Sequence, residues 1–209
     1  MKKKVILVIS PHTDDAEFGC GGSIVKFIED KADVYYVAFS IAEKSVPSGF
    51  PKNILETEVK KATGCLGISK ENLVIFKYEV RKLNYFRQDI LEDLVKIKKG
   101  LEPDLVFMPS LDDIHQDHHT VSRETLRAFK TTSILGYELP WNSMNFKTQS
   151  FIKLTSDHIE NKITALKEYK SQMHRSYINE ELVKGLARLR GAQIKYEYAE
   201  AFEVIRWIH

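Results

Sequence analysis

Short apolar runs alternate with longer amphipathic stretches along the first two thirds of the chain. The run at 5–9 is uninterrupted and β-branched, which is typical of a parallel strand covered on both faces. At 88–99 the apolar positions instead recur every three or four residues, as on one face of a helix. The pattern predicts strands at 5–9, 33–39, 73–76, 104–108 and 133–137, and helices at 21–29, 54–66, 88–99 and 120–129. Strands that alternate with helices indicate βαβ units and a mostly parallel sheet.

The alternation changes after residue 140. Helical spacing returns at 157–169 and 180–189, and an apolar stretch at 203–208 predicts a last strand. The sequence has no internal repeat, no low-complexity tract and no linker rich in proline, glycine or serine. We therefore expect a single α/β domain over residues 1–209.

The composition narrows the function classes. Lysine and arginine number 31 against 29 aspartates and glutamates, a net charge of +2, so the basic surface of nucleic-acid-binding proteins is not expected. Cys20 and Cys65 are too few for a disulfide scaffold, which favours a reducing compartment. The run at 5–9 is shorter than the roughly 7–15 apolar residues of a secretion signal or the about 20 of a membrane span. We expect a cytoplasmic enzyme with no membrane span and no nucleic-acid partner.

Histidine and aspartate are concentrated directly after two of the predicted strands. His12, Asp14 and Asp15 follow the first strand, and the segment His115-Gln116-Asp117-His118 follows the fourth. The carboxyl ends of parallel strands share one edge of a sheet, so the two segments should meet there. Imidazole and carboxylate are the ligands that zinc prefers beside thiolate, and a catalytic zinc takes three protein ligands and leaves a position for water. The sequence therefore predicts a catalytic metal site at this edge.

A glycine cluster offers a competing interpretation. Gly19, Gly21 and Gly22 resemble part of a dinucleotide-binding fingerprint. That fingerprint needs glycine at the tight turn itself, whereas here residues 11–18 separate the strand from the glycines. The intervening segment is also acidic, where a pyrophosphate would sit. We interpret the glycines as close packing of a helix against the sheet.

The two segments together resemble the PIG-L/LmbE-like family of zinc-dependent N-acetyl-sugar deacetylases. The family is marked by a His-Pro-Asp-Asp segment with a later Gly-Gly helix start, and by a His-x-Asp-His segment. They correspond here to His12-Thr13-Asp14-Asp15 with Gly21-Gly22, and to His115-Gln116-Asp117-His118. The resemblance implies a Rossmann-like three-layer sandwich, with a core at about 1–170 and a C-terminal extension of helix and strand at about 171–209. Thr13 departs from the usual proline, and Lys170, before Ser171-Gln172, departs from a histidine found in many relatives.

The resemblance also implies a role for each site residue. His12, Asp15 and His118 would hold Zn²⁺, and Fe²⁺ tolerates the same donors. Asp14 would be the general base. His115 would stabilise the oxyanion or protonate the leaving amine, and Asp117 would orient it.

Substrate contacts are expected from other loops at the same edge. Arg81 follows the third strand, and Glu138 and Trp141 follow the fifth. The expected partner is a small N-acetylated sugar. Two alternatives stay open: an esterase or phosphoesterase with the same metal site, and a non-catalytic sugar-binding module. The region after residue 157 would cover the site or form a homo-oligomer interface.

Overall fold

A seven-stranded sheet with the order β3-β2-β1-β4-β5-β7-β6 forms the centre of the protein, in a computed structural model that describes residues 3–209. The strands are β1 (Val5–His12), β2 (Asp33–Ser40), β3 (Leu73–Ile75), β4 (Leu105–Pro109), β5 (Ser133–Tyr137), β6 (Ser150–Leu154) and β7 (Tyr198–Arg206). The helices are α1 (Asp15–Glu29), α2 (Ile54–Cys65), α3 (Arg87–Leu101), α4 (Gln116–Ala128), α5 (Ser156–Lys167) and α6 (Glu180–Gln193). The pairs among β1 to β5 are parallel, and β7 is antiparallel to both β5 and β6. The expected single-domain α/β architecture with a mostly parallel sheet is confirmed.

Helices cover both faces of the sheet, which explains why β1 is apolar at every position from 5 to 9. Ile6 and Val8 of β1 belong to a core shared with α1, α2, α5 and α6. Leu7 and Ile9, which point to the opposite face, belong to a second core with α3 and α4. Two cores on either side of one sheet make the three layers that the sequence predicts.

Two elements differ from the sequence prediction at the functional edge. Helix α1 begins at Asp15 instead of 21, and a break at Cys20 (φ −148°) divides it into two segments. Helix α4 begins at Gln116 instead of 120, because the His115 side chain caps it by accepting a hydrogen bond from the Asp117 main-chain N–H. In both cases polar residues that interrupt the apolar periodicity form the first helical turn.

The C-terminal segment contributes to the sheet itself. Strand β7 begins at Tyr198, five residues before the predicted start, and lies between β5 and β6. Strand β6, which the sequence pattern does not predict, pairs along β7 from Ser150 to Leu154. The residues after 171, predicted as an extension to the core, thus supply an interior strand.

Glu200 of β7 caps the second segment of α1. Its carboxylate accepts hydrogen bonds from the main-chain N–H groups of Gly22 (3.1 Å) and Ser23 (2.8 Å), from the Ser23 hydroxyl (2.6 Å) and from the Lys162 ammonium (2.7 Å). A carboxylate is favoured at a helix N-terminus because the free N–H groups and the helix dipole attract negative charge. The break at Cys20 therefore creates a helix start that the last strand satisfies.

Close packing requires a glycine in the first segment of α1. A Cβ on Gly19 would lie 2.2 Å from the ring of Tyr137, whose hydroxyl donates to the Ile9 carbonyl. No side chain fits in that space unless the tyrosine moves.

Among the described residues, no helix is both long and apolar enough to cross a membrane.

Candidate metal centre and active site

Three donor atoms from two loops form a small triangle at the carboxyl edge of the sheet. His12 lies at the end of β1, Asp15 begins α1, and His118 lies in the first turn of α4. His12 Nδ1 is 3.2 Å from Asp15 Oδ2, His118 Nε2 is 3.1 Å from the same oxygen, and the two nitrogens are 3.1 Å apart. Ligands placed about 2.0–2.2 Å from a tetrahedral zinc ion are about 3.3 Å from one another. The donor types and spacing both fit such an ion.

His115 offers an alternative third ligand. His12, His115 and His118 each have a ring nitrogen within 4.8 Å of the others. This three-histidine set is looser than the triangle that includes Asp15. The metal-binding capacity of the cluster holds for either set, and the spacing favours the one with Asp15.

Carboxylates hold the ring nitrogens that face away from the triangle. His12 Nε2 lies 2.9 Å from Asp117 Oδ2, and His118 Nδ1 lies 2.8 Å from Asp113 Oδ2. Metal-binding histidines are commonly oriented by such a carboxylate, which fixes the tautomer and the direction of the free nitrogen. The two imidazole nitrogens of the triangle are therefore directed toward its centre without a bound metal.

The contacts of the Asp117 carboxylate differ from those expected for it. Its carboxylate contacts His12, together with the main-chain N–H groups of Arg81 (2.6 Å) and Leu83 (3.3 Å), and makes no hydrogen bond to His115. His115 Nδ1 instead accepts the main-chain N–H of Asp117, because His115 is the N-cap of α4. Asp113 is not among the predicted site residues, although an acidic residue five positions before His118 is a signal for it in the sequence.

Opposite charges dominate the electrostatics of the triangle. Burial opposes charge on His12, but Asp15 and Asp117 outweigh it and raise the pKa of His12 to about 9. Burial likewise opposes charge on His118, yet Asp15 and Asp113 raise its pKa to about 10. Burial favours the neutral form of Asp15, but the two imidazoles hold its pKa well below the ordinary value. A cation is thus strongly favoured here, and metal binding would displace the protons from the two rings.

Asp14 and His115 have pKa values shifted the other way. Burial, followed by the charge of Asp15, raises the pKa of Asp14 to about 6. Burial and the neighbouring His12 and His118 lower the pKa of His115 to about 4. His115 is therefore neutral near pH 7, and because its Nδ1 accepts a hydrogen bond, its proton sits on Nε2. The site combines a carboxylate that titrates near neutrality with a neutral N–H donor.

A buried polar cluster holds the loop between His12 and Asp15. The Tyr36 hydroxyl lies 2.8 Å from the Thr13 carbonyl oxygen, and the Tyr169 hydroxyl contacts the same oxygen and lies 2.6 Å from Glu17 Oε1. Tyr36 also contacts the other carboxyl oxygen of Glu17, and burial raises the pKa of Glu17 to about 8. The cluster joins β2, α1 and the segment after α5 beneath the metal loop. The sequence does not predict this polar cluster, because its members are far apart along the chain.

The candidate site opens into a cavity of about 330 Å³, whose lining includes Arg81, Trp141, Arg175 and Tyr177 beside the histidines and aspartates. The Trp141 indole stacks on Tyr177 with ring centroids 4.0 Å apart and meets Phe18 edge-on. Trp141 lies at the cavity as expected, but Tyr177 covers one of its faces.

Glu138 does not line this cavity. Its carboxylate forms a two-point ion pair with Arg190 of α6, at 2.5 and 3.0 Å. Both of its oxygens face α6 instead of the metal loop, so substrate binding by Glu138 stays a prediction that the lining of this cavity does not support.

Known proteins resemble this chain in sequence and in fold. A family model described as "PIG-L: GlcNAc-PI de-N-acetylase" matches residues 7–129. The chain is 28% identical over 173 residues to a protein of Escherichia coli K12 named "Uncharacterized deacetylase YaiS", an alignment that covers 81% of this chain and 92% of that protein.

Two solved structures superimpose over nearly the whole chain. One is N,N'-diacetylchitobiose deacetylase from Pyrococcus horikoshii, with a TM-score of 0.80 and 23% identity, covering 97% of this chain and 84% of that one. The other is GalB, a 4-carboxy-2-hydroxymuconate hydratase from Pseudomonas putida KT2440, with a TM-score of 0.81 and 20% identity, covering 99% and 98%. At these identities the likeness extends to the fold alone, and two different reactions occur on it.

Proposed function

Because the chain belongs to the PIG-L family, we propose that it is a metal-dependent hydrolase that removes the acetyl group from an N-acetylated amino sugar. The observation that carries the proposal is the donor triangle with Asp14 and His115 beside it in one cavity. Amide hydrolysis needs a proton acceptor for water, a donor toward the carbonyl oxygen and a proton for the leaving nitrogen. This group of residues can supply all three.

His12, Asp15 and His118 would hold the metal, as Zn²⁺ or Fe²⁺. When bound, such an ion polarises a carbonyl oxygen and lowers the pKa of water toward neutrality. Asp113 and Asp117 keep the two imidazoles in the orientation that presents their free nitrogens.

Asp14 would act as the general base. Its carboxylate takes a proton from the attacking water and returns it to the amine nitrogen when the C–N bond breaks, so that water and amide become acetate and amine. A pKa near 6 suits both steps, because efficient proton transfer requires a group that titrates close to the working pH. His115 would donate its Nε2 hydrogen to the acetyl oxygen as negative charge develops there.

Acetate release by metal-loaded protein tests the proposal. We expect release from at least one member of a panel of free, nucleotide-linked and lipid-linked N-acetyl sugars, and loss of release after chelation. Asp14→Asn should lower kcat by about 10²–10⁴-fold, the usual contribution of general acid–base catalysis, with unchanged metal content. Asp112→Asn is the matched control, since this exposed aspartate precedes the same helix and lies outside the cavity.

The outcomes separate the competing functions. Absence of acetate from the whole panel would refute the deacetylase proposal. Faster turnover of O-acetyl or phosphate esters than of the matching amides would favour the esterase or phosphoesterase alternative. Sugar binding that persists in Asp14→Asn and His115→Ala, with an inactive parent protein, would favour the binding module.

A further inference from the structure

We infer that the substrate carries an anionic group, a carboxylate or a phosphate, which Arg81 and Arg175 bind next to the site of deacetylation. The inference rests on the proposed function and adds the class of amino sugar that the cavity selects. Both arginines line the cavity that contains the metal triangle.

The backbone of Arg81 is held in place by the metal site. Its main-chain N–H donates to Asp117 Oδ2 at 2.6 Å, and the same oxygen contacts His12 Nε2. Arg81 has a φ of 67°, in the left-handed region that residues other than glycine seldom adopt. Such a conformation persists where the surrounding structure imposes it, and it occurs preferentially at functional sites. The main chain of Arg81 is thus fixed next to Asp117 in the cavity wall.

Arg175 is oriented by uncharged partners. Its Nε–H donates to the Gln172 side-chain oxygen at 2.6 Å, and its guanidinium lies 5.7 Å from the centre of the Tyr177 ring. These contacts hold the side chain at the cavity, where the guanidinium also interacts with the Tyr177 hydroxyl and with the charge of Asp14.

Neither arginine forms a direct ion pair with a carboxylate. Within the part of the chain that the structure describes, no carboxylate oxygen lies within 4.0 Å of either guanidinium. The acid nearest Arg81 along the chain, Glu79, instead binds Lys44 and Lys82 at 2.6 and 2.7 Å. Outside the cavity the pattern is different: Arg190, for example, forms a two-point ion pair with Glu138.

Two guanidinium groups that line one cavity without a direct ion pair point to a negatively charged ligand. The flat array of N–H donors matches the oxygens of a carboxylate or a phosphate in a two-point contact. A neutral N-acetyl sugar would offer these groups only uncharged oxygens. The cavity therefore fits an N-acetyl amino sugar that bears an acidic substituent.

Matched substrates test the inference. Acetate release is measured from N-acetylglucosamine 1-phosphate, from the carboxymethyl glycoside of N-acetylglucosamine and from the neutral methyl glycoside. We expect the intact protein to prefer at least one anionic compound, and the two anionic arms identify which anion. In Arg81→Gln and Arg175→Gln the anionic-to-neutral ratio of kcat/KM should fall by about 10- to 100-fold, the effect of losing one hydrogen bond to a charged group. Lys82→Gln, next in sequence but outside the cavity lining, should leave the ratio unchanged.

Equilibrium binding keeps this inference separate from the proposed function. Calorimetry compares glucosamine 1-phosphate and the carboxymethyl glycoside of glucosamine with neutral glucosamine, on intact protein and the same variants, with melting curves to verify folding. Turnover of all three substrates at equal rates, or a preference that survives both variants, would overturn the inference and leave the deacetylase proposal standing. Absence of turnover together with arginine-dependent anion binding would support the inference about the anionic group and refute the deacetylase proposal. Absence of both would refute both.

Discussion

Replacing Glu200 by glutamine should destabilise the protein strongly, because it removes the charge that balances a buried ammonium group. The side chains of Glu200 and Lys162 are only 6% and 4% exposed, and their charged atoms lie 2.7 Å apart. Oε1 accepts from Lys162 and the Gly22 N–H, and Oε2 accepts from the N–H and hydroxyl of Ser23. A glutamine keeps one acceptor oxygen and turns an NH₂ group toward the other pair of donors. Breaking a buried ion pair in this way costs about 3–5 kcal/mol.

Replacing Lys162, the other member of the ion pair, should reduce the free energy of unfolding by less. Lys162→Met leaves the Glu200 carboxylate with three hydrogen-bond donors at a helix N-terminus, so about 1–3 kcal/mol is expected. The double variant Glu200→Gln/Lys162→Met contains no buried charge at this point, and its loss should be smaller than the sum of the single losses by about 1–3 kcal/mol. Glu197→Gln is the control, since this residue of the same segment is exposed and surface changes are usually within about 0.5 kcal/mol.

Urea unfolding followed by circular dichroism measures these differences as shifts in midpoint at constant slope. In a thermal scan, the loss expected for Glu200→Gln corresponds to a decrease in Tm of about 6–20 °C, at about 2–4 °C per kcal/mol for a chain of this size. The reasoning would be refuted by a cost below about 1 kcal/mol for Glu200→Gln, by a larger cost for Lys162→Met, or by strict additivity in the double variant.

Two further variants test the metal loop and the packing of α1. Asp113→Asn should weaken metal affinity by about 10- to 100-fold by removing the carboxylate partner of His118; competition with a chromophoric chelator measures this, and an unchanged affinity would contradict the proposed role. Gly19→Ala forces a methyl group into the Tyr137 ring and should cost about 1–3 kcal/mol. Gly185→Ala, in the middle of α6 with open space at its Cβ position, should instead stabilise the protein by about 0.5–1 kcal/mol; equal effects of the two glycine variants in thermal scans would contradict the packing argument.

Strands buried on both faces could be predicted from the sequence because short apolar, β-branched runs are typical of such strands. The predicted strand at 133–137 matches β5 residue for residue. The start of β7 could not be predicted in this way, since Glu200 interrupts its apolar pattern and is present to cap α1. The edge strand β6 is short and only partly buried, which leaves little pattern to detect.

The convergence of two loops at one sheet edge follows from strand direction alone, and the structure places His12 and His118 side by side as that argument requires. The partners of the site could not be derived in the same way. Which carboxylate faces which imidazole depends on side-chain directions in the first turn of α4 and in the loop before it. Asp117 of the helix contacts His12 at the end of β1, and Asp113 of the loop contacts His118.

The metal loop depends on residues outside the segment that defines the family. The family model ends at residue 129, yet Tyr169 holds the Thr13 carbonyl, and Lys162 and Glu200 hold the second segment of α1. An α1 helix broken next to the site would otherwise be free to bend at Cys20, and the position of Asp15 would vary with it. The spacing of the donor triangle, which decides whether a metal binds, is therefore a property of the whole chain. Residues 7–129 contribute the proposed ligands, and contacts from the C-terminal third hold the loop that carries two of them.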